Sequence, residues 1–118
     1  MFKDVREYIK KARSMGEYRL FEGADWDLEI GIITELQLKS ETPPLLLFDK
    51  IKGYPAGYRV VSNSFATNSR VAMVMGLPLN LNGKELVMAW REKVKAGVRG
   101  LPPIMVGQGE EAAPSLRL

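Results

Sequence analysis

Three carboxylates fall within five residues of this sequence, at Asp25, Asp27 and Glu29. Oxygen ligands at this spacing could hold a divalent cation, or could serve as an acid and base pair. The same residue types are also favoured at the start of a helix, where they cap free backbone N–H groups and offset the helix dipole. We expect the second role, with Asp25 or Asp27 capping a helix that begins near Leu28.

Histidine and cysteine are both absent from the 118 residues. Without histidine the chain lacks the commonest general base and the commonest metal ligand, so it cannot form a Ser-His-Asp triad or a histidine zinc site. Without cysteine it has no disulfide, no thiolate ligand and no thiol nucleophile, which suits a reducing cytoplasm. No convincing pair of carboxylate, lysine or tyrosine groups occurs instead, so we do not expect activity from this chain alone.

The composition is typical of one soluble globular domain, with 46% apolar and 26% charged residues. The net charge is only +3, and basic residues are spread among acids, so we expect no nucleic-acid binding. No apolar stretch approaches the ~20 residues that span a bilayer, and the first residues lack the organisation of a signal peptide. These patterns predict a cytoplasmic protein with no membrane span.

The first part of the sequence predicts a helix, a strand and a second helix. An amphipathic helix is expected over residues 3–15 and a short strand over residues 18–21. The second helix is expected over residues 28–39. Its core face should be formed by Leu28, Ile30, Ile32, Ile33 and Leu36. Trp26 should be a partly buried anchor, or an interface residue if the chain is a subunit.

The middle of the sequence contains two strand signals separated by a glycine- and proline-rich turn. Residues 45–48 form a short apolar run behind two prolines, which favours a buried strand. The turn at residues 53–57 leads to a second strand at residues 59–62. The two strands should therefore be neighbours in a sheet.

A polar corner at residues 63–68 follows the second of these strands. Thr67 or Asn68 should cap a third helix, because either side-chain oxygen can accept a backbone N–H of the first turn. Gly76 should end this helix. Its buried face should be formed by Val71, Val74 and Met75.

Asn82 and Glu85 have the spacing of a capping box, which predicts a fourth helix that runs to about Ala96. Its buried stripe should be formed by Leu86, Val87, Trp90 and Val94.

The end of the sequence predicts a tail. Residues 101–106 contain two prolines and should be extended, first polyproline-like and then as a candidate strand. Residues 107–118 have no period and little to bury, so alone they should be disordered or held by a neighbour. We therefore divide the chain into a domain over residues 1–100 and an extended tail or linker over residues 101–118.

These elements predict a single α+β domain. We expect a small mixed or antiparallel sheet with about four packed helices, all on one face of the sheet.

The sequence resembles the N-terminal region of the UbiD family, the 3-octaprenyl-4-hydroxybenzoate carboxy-lyase-like enzymes. The likeness is carried, in chain order, by DWDLEI (25–30), LLFDKIKGYP (46–55), NSFAT (63–67), RVAMVMGL (70–77) and LPPIMV (101–106). Ala66 stands where the family more often has glycine. The order and spacing of these segments cover nearly the whole chain.

The resemblance implies that this chain is the first part of a much longer enzyme. Family members are reversible decarboxylases of aromatic or α,β-unsaturated acids and use prenylated FMN, a divalent metal and potassium. Their flavin and their catalytic Glu-Arg-Glu set belong to a middle domain that this sequence does not match. The resemblance therefore places no catalytic, cofactor-binding or metal-binding residue in this chain, and implies that the cofactors belong to the complete enzyme.

Two functions remain open at this point. In the first, the chain is the N-terminal domain or a split small subunit of a UbiD-like decarboxylase, and completes a site on a partner that carries the flavin and C-terminal domains. In the second, it is a stand-alone binding or assembly module, a monomer or a homo-oligomer. The residues expected to contact a partner are Tyr54, Asn63, Phe65 and Asn68. The alternative for these four is that they only fix the ends of strands.

Overall fold

The computed structural model describes residues 2–105 and divides them into four helices and three strands. The helices are α1 (Val5–Ser14), α2 (Glu29–Leu38), α3 (Asn68–Met75) and α4 (Gly83–Lys95), and the strands are β1 (Tyr18–Glu22), β2 (Leu45–Asp49) and β3 (Val60–Ser62). β1 runs parallel to β2 and β3 runs antiparallel to it, so the sheet is mixed and β2 is its central strand. The expected α+β domain with about four helices and a small mixed sheet is confirmed.

The central strand β2 forms the middle of the core. Leu45, Leu46, Leu47 and Phe48 are all buried. A continuous apolar run of this kind is typical of a strand that is covered on both faces. Successive side chains of a strand point to opposite faces, so Leu45 and Leu46 belong to different layers of the core.

Helices cover both faces of the sheet. On one face, α1 and α3 meet β2 in a cluster of Tyr8, Ala12, Leu45 and Met73. On the other face, the cluster consists of Ala24, Leu46 and Phe48, with Ile30 and Ile33 of α2 packed against it. The expectation that all helices lie on one face is therefore wrong. Two parallel strands need a crossover connection, and α2, as the connection between β1 and β2, occupies the face that α1 and α3 leave free.

Local signals set the ends of α3 and α4 as expected. Thr67 caps α3 by accepting a hydrogen bond from the Arg70 N–H at 3.3 Å, and Gly76 ends the helix with a φ of 66°. Asn82 and Glu85 form the capping box of α4, in which each side chain accepts the other residue's backbone N–H at 2.9 Å. These short-range interactions depend on neighbouring residues only, which is why the sequence predicts them.

The apolar face expected for α2 is only partly buried. Ile30 and Ile33 pack against the core, whereas Leu28, Ile32 and Leu36 are exposed. Within Glu29–Leu38 no residue is fully buried. The helix is apolar around most of its circumference, so the periodicity that normally separates an inner from an outer side gives no guidance here.

The buried side of α3 also differs from the expected one. Arg70 and Met73 are buried, whereas Val74 is exposed and Val71 and Met75 are only half-buried. A short helix offers few turns for a pattern to repeat, and here a charged side chain takes an inward position.

The last helix, α4, packs against α3 and buries only Leu86 of its expected stripe. Val87, Trp90 and Val94 are exposed. Lys93 donates a hydrogen bond to the Met75 carbonyl, which ties α4 to the end of α3. The expectation of a fully buried stripe is therefore wrong.

Residues 101–105 are exposed and have no regular secondary structure, so the candidate strand is not formed there. The last residue of that segment and the expected tail over residues 107–118 lie outside the described residues, and the division of the chain at residue 100 stays a prediction. None of the helices between residues 2 and 105 has the length and the apolar character needed to cross a membrane.

Candidate functional site

The polar corner at residues 63–68 links the end of β3 to the start of α3. Asn63 opens the corner with a φ of 55°, in the left-handed region that asparagine tolerates better than most residues. Thr67 closes it as the N-cap of α3, and Asn68 is the first residue of the helix. The corner thus contains Asn63, Phe65 and Asn68 of the expected contact residues.

The corner is held in place by Arg70, which has no solvent exposure. Its guanidinium donates to the carbonyl oxygens of Ser64 at 3.2 Å, Pro43 at 2.6 Å and Asn63 at 2.9 Å. It also donates to a carboxylate oxygen of Glu17 at 2.8 Å. One side chain therefore joins the corner to two distant segments, a role that suits arginine because its five donors are held in a planar fork.

Glu17, in the turn after α1, supplies the opposite charge for Arg70. Ser69 donates to its two carboxylate oxygens at 2.8 Å and 3.1 Å, and the Thr67 hydroxyl donates to it at 3.3 Å. The side chain of Glu17 is 27% exposed, so solvent reaches the carboxylate of the ion pair but not the guanidinium. A buried arginine without a partner would be strongly unfavourable. Glu17 and Arg70 therefore act as one unit that connects α1 to α3.

Tyr8 adds a second connection between α1 and the corner. Its phenol donates a hydrogen bond to the Ser64 carbonyl. Burial raises the pKa of Tyr8 above its ordinary value, and the positive charge of Arg70 partly opposes this shift. The phenol therefore stays protonated at neutral pH and serves as a donor that fixes the backbone of the corner.

Phe65 is the aromatic side chain that the corner presents to solvent, with 62% of its surface exposed. Its ring centroid lies 6.0 Å from that of Tyr8. It borders an open groove of about 370 Å³. The other apolar walls of this groove are Phe2, Val5 and Val74. The corner thus combines a fixed backbone with an exposed aromatic ring.

Asn63 and Asn68 play different parts in the corner. The Asn63 side-chain amide donates to the Thr34 carbonyl of α2 at 3.3 Å, so it turns inward and supports the fold. Asn68 is exposed. Of the expected contact residues in the corner, Phe65 and Asn68 are exposed and Asn63 is half-buried.

Tyr54 lies in a different loop, in the turn at residues 53–57. Its side chain is about half exposed, and its ring centroid lies 5.9 Å from that of Tyr58. Within residues 2–105, no hydrogen bond or ring contact joins Tyr54 to the corner. The structure does not bring Tyr54 together with the other expected contact residues.

The corner is suited to support rather than to reaction. Across the described residues, every buried side-chain nitrogen or oxygen has a hydrogen-bond partner. Each of the three guanidinium nitrogens of Arg70 donates to at least one protein oxygen. No unsatisfied group remains in this part of the core to bind a ligand or to move a proton.

Sequence reasoning gave Arg70 no structural role. One signal could have found it: a cation in the first turn of a helix opposes the helix dipole, so Arg70 needs a local reason to be there. Its partner Glu17 carries no comparable signal, because the two residues are 53 positions apart.

The three acids before α2 form a tight hydrogen-bonded turn. Asp25 accepts a hydrogen bond from the Asp27 N–H at 3.0 Å, and Glu29 accepts one from the Asp25 N–H at 2.7 Å. The N-cap residue of α2 is Leu28, which makes no side-chain cap. The expectation that an aspartate caps this helix is therefore wrong, although two of the carboxylates do satisfy backbone groups in the turn before it.

Leu28 has a strained backbone. Its φ is 66° and its ψ is −45°. The Glu29 N–H donates across it to the Asp27 carbonyl at 2.8 Å, which closes a γ-turn. A bulky residue at positive φ is an outlier that costs on the order of 1–3 kcal/mol.

The acids do not fit a metal site or a general acid. No group of three or more metal-ligating side chains comes together within residues 2–105. The Asp27 N–H, together with Lys52 at 3.4 Å, holds the pKa of Asp25 below its ordinary value, whereas a general acid needs a raised pKa. We therefore assign these acids neither a metal nor a chemical step.

A second open groove, of about 380 Å³, lies between α1 and the sheet. Lys10, Arg13 and Arg59 line it together with Asp49. The Lys50 N–H and then the guanidinium of Arg59, at 3.1 Å, hold the pKa of Asp49 below its usual range. The carboxylate of this groove is thus ionised and paired, and the groove offers positive charge rather than acid–base chemistry.

Comparison with protein families gives one match. The family model described as the 3-octaprenyl-4-hydroxybenzoate carboxy-lyase N-terminal domain matches residues 9–90. This range extends from α1 into α4 and includes the sheet, the corner and Arg70.

Among solved structures, the fold is similar to that of the vanillic acid decarboxylase of Sedimentibacter hydroxybenzoicus. Its open form has a TM-score of 0.70 at 23% sequence identity, over 78% of this chain and 20% of that chain. Its closed form has a TM-score of 0.66 at 23% identity, over 80% of this chain and 20% of that chain. At this level of identity the likeness shows the fold, and this chain spans about 20% of the length of the decarboxylase chain.

Proposed function

This chain belongs to the UbiD family through the family's N-terminal domain, and from this membership we propose that it completes the active site of a UbiD-like decarboxylase. It would be the N-terminal domain, or a split small subunit, of an enzyme that acts on aromatic or α,β-unsaturated acids. The observation that carries the proposal is the family match over residues 9–90.

The chain lengths support a part of an enzyme rather than a whole one. The solved decarboxylase chain of similar fold is about five times as long as the matched region, since the match covers 20% of it. In our proposal the remaining domains carry prenylated FMN, the divalent metal and potassium. This chain then contributes shape and contact, because its described residues form no metal-ligating group.

The corner at residues 63–68 suits such a contribution. Phe65 is exposed on a backbone that Arg70 and Tyr8 hold in place. A loop that is already ordered loses little conformational freedom when it meets a partner. In the proposal, Phe65 and Asn68 contact the partner from the corner, and Tyr54 does so from its own loop.

The proposed function is tested by co-expression of this chain with the polypeptide encoded beside it. We expect one complex that shows flavin absorbance and releases carbon dioxide from unsaturated acids, and that loses activity when this chain is omitted. A colourless chain that purifies alone and that the neighbouring polypeptide ignores would contradict the proposal. That result would favour the stand-alone binding or assembly module.

The contact residues are tested by Tyr54→Ala and Phe65→Ala in that complex. Each truncation should weaken binding by about 10-fold, because an aromatic side chain that is buried on association commonly contributes more than 1 kcal/mol. Val87→Ala, at an exposed apolar position of α4, is the matched control and should bind like the wild type. Wild-type affinity and turnover in both aromatic variants would remove these residues from the interface and leave the family role intact.

A further inference from the structure

We propose that Leu28, Ile32 and Leu36 form the surface through which this domain docks on the rest of the UbiD-like enzyme. We call these three residues the α2 strip. They are 71%, 52% and 58% exposed, respectively. The proposal rests on the proposed function and identifies a contact surface for it.

The α2 strip faces away from the core. Ile32 and Leu36 are four positions apart, so they lie one above the other along one side of α2. Leu28 precedes them as the N-cap residue of the helix. The inner side of the helix carries Ile30 and Ile33, which pack against the core under the sheet. Single exposed leucines are ordinary on a monomer, but three large exposed aliphatic side chains within nine residues are typical of a surface that another protein covers.

Trp26 is a further exposed apolar residue, in the turn that leads into α2. It is 62% exposed, so the expectation of a partly buried anchor is wrong. Its alternative role as an interface residue agrees with this exposure, because tryptophan is enriched among the residues that dominate binding energy.

The strained turn indicates that Leu28 is held in its exposed position. The γ-turn at Leu28 is closed by a backbone hydrogen bond, and the side chain of Glu29 binds the Asp25 N–H behind it. Glycine would adopt this φ without strain, yet the position carries a large apolar residue. Strain of this kind persists where the surrounding structure enforces it, and it clusters at functional sites.

The charges around the α2 strip indicate the chemistry of its partner. Asp27, Glu29 and Glu35 are its acidic neighbours along the chain, and Lys39 is paired with Glu35 at 3.8 Å. A complementary surface would therefore be apolar with a rim of lysine or arginine. A second copy of this chain would bring a second set of the same three acids into the interface.

The length of the similar decarboxylase chain identifies the occupant. The matched region is 20% of that chain, so a domain of this fold is connected there to a body about four times its own size. The occupant that we propose is that body, carried either on a partner polypeptide or on the same one.

The test compares Leu28→Gly and Ile32→Asp with Val87→Asp, a control at an exposed apolar position of α4. Binding of the full chain to the co-expressed polypeptide is measured by titration calorimetry, and folding by the thermal unfolding midpoint. We expect both strip variants to bind at least 10-fold more weakly and the control to bind like the wild type. Leu28→Gly should lose binding while its unfolding midpoint is unchanged or higher, because the glycine relieves the strain. A merely structural leucine would not give that combination.

Three outcomes would overturn the proposal. If the wild type binds and both strip variants bind equally well, the α2 strip is not the docking surface, while the proposed function stands. If the wild type itself does not bind, the proposed function fails and the occupant is wrong. If sedimentation shows a wild-type dimer that Ile32→Asp converts to a monomer, the occupant is a second copy.

Discussion

At the scale of single residues, the most consequential contact is the one between Arg70 and Glu17. Arg70→Met should remove the guanidinium donors to the Glu17 carboxylate and to the carbonyls of Pro43, Ser64 and Asn63. Breaking a buried ion pair from one side destabilises a protein by roughly 3–5 kcal/mol. We expect the lower end of that range, about 3 kcal/mol, because the Glu17 that is left behind is partly exposed. The loss should appear as a lower midpoint in urea unfolding followed by circular dichroism.

Controls for that prediction come from the same chain. Arg70→Lys keeps the charge but not the planar fork, so it should lose less than the methionine variant and should still fold. The double variant with Glu17→Gln should lose less than the sum of its single variants, because the two residues form one unit. Arg99→Met, at an exposed position, should change stability by no more than about 0.5 kcal/mol. Additive losses in the double variant would show that the two residues are independent.

A pH-dependent effect is expected at Asp49. Its lowered pKa means that it stabilises the fold above its unfolded pKa, about 3.9, and that this contribution is lost as pH falls through the folded pKa. Arg59→Gln should therefore lower the urea midpoint at neutral pH, and the gap to the wild type should narrow below about pH 3.9. The Lys50 N–H remains in the variant, so part of the shift should persist. A gap of constant size across this range would show that Arg59 acts through packing rather than charge.

At the scale of elements, the sequence predicts helix ends better than it predicts buried sides. Thr67, Gly76 and Asn82 act through neighbouring residues, and each has the expected role. The buried side of α2 depends instead on where the crossover places the helix. Because α2 is apolar around most of its surface, its sequence does not indicate which side is buried. The sequence also does not predict the positive φ of Leu28 at the N-terminus of α2, because leucine is not a residue that favours turns.

Two glycines give opposite predictions at helix positions. Gly76 has a φ of 66°, so Gly76→Ala should destabilise the protein by about 1 kcal/mol and also disturb Lys93, whose Nζ lies 2.9 Å from the added Cβ. Gly31, inside α2, has ordinary φ and open space around it. Gly31→Ala should therefore stabilise the protein by about 0.5–1 kcal/mol. The check is the thermal midpoint of the two variants, and a shift in the same direction for both would contradict this account.

At the scale of the whole molecule, the fold class follows from the sequence but the layer order does not. The continuous apolar run at the start of Leu45–Asp49 indicates a strand that is covered on both faces of the sheet. A strand with one exposed face would alternate apolar and polar residues. The parallel pairing of β1 with β2 has no local signature, because it is closed over the length of α2. Arg70 likewise binds two residues that are distant in the sequence, Glu17 and Pro43. No local pattern in the sequence predicts these contacts.

The extent of the folded unit gives a last prediction. Leu101, Ile104 and Met105 are 79%, 89% and 89% exposed, so the described start of the proposed tail adds little to the core. A chain that ends at residue 100 should therefore keep the unfolding midpoint of the full chain, with a difference in stability below about 0.5 kcal/mol. Its binding to the rest of the enzyme should fall if residues 101–118 are a linker that reaches the next domain. A lower midpoint in the shortened chain would show instead that the tail packs on the domain and that the boundary at residue 100 is wrong.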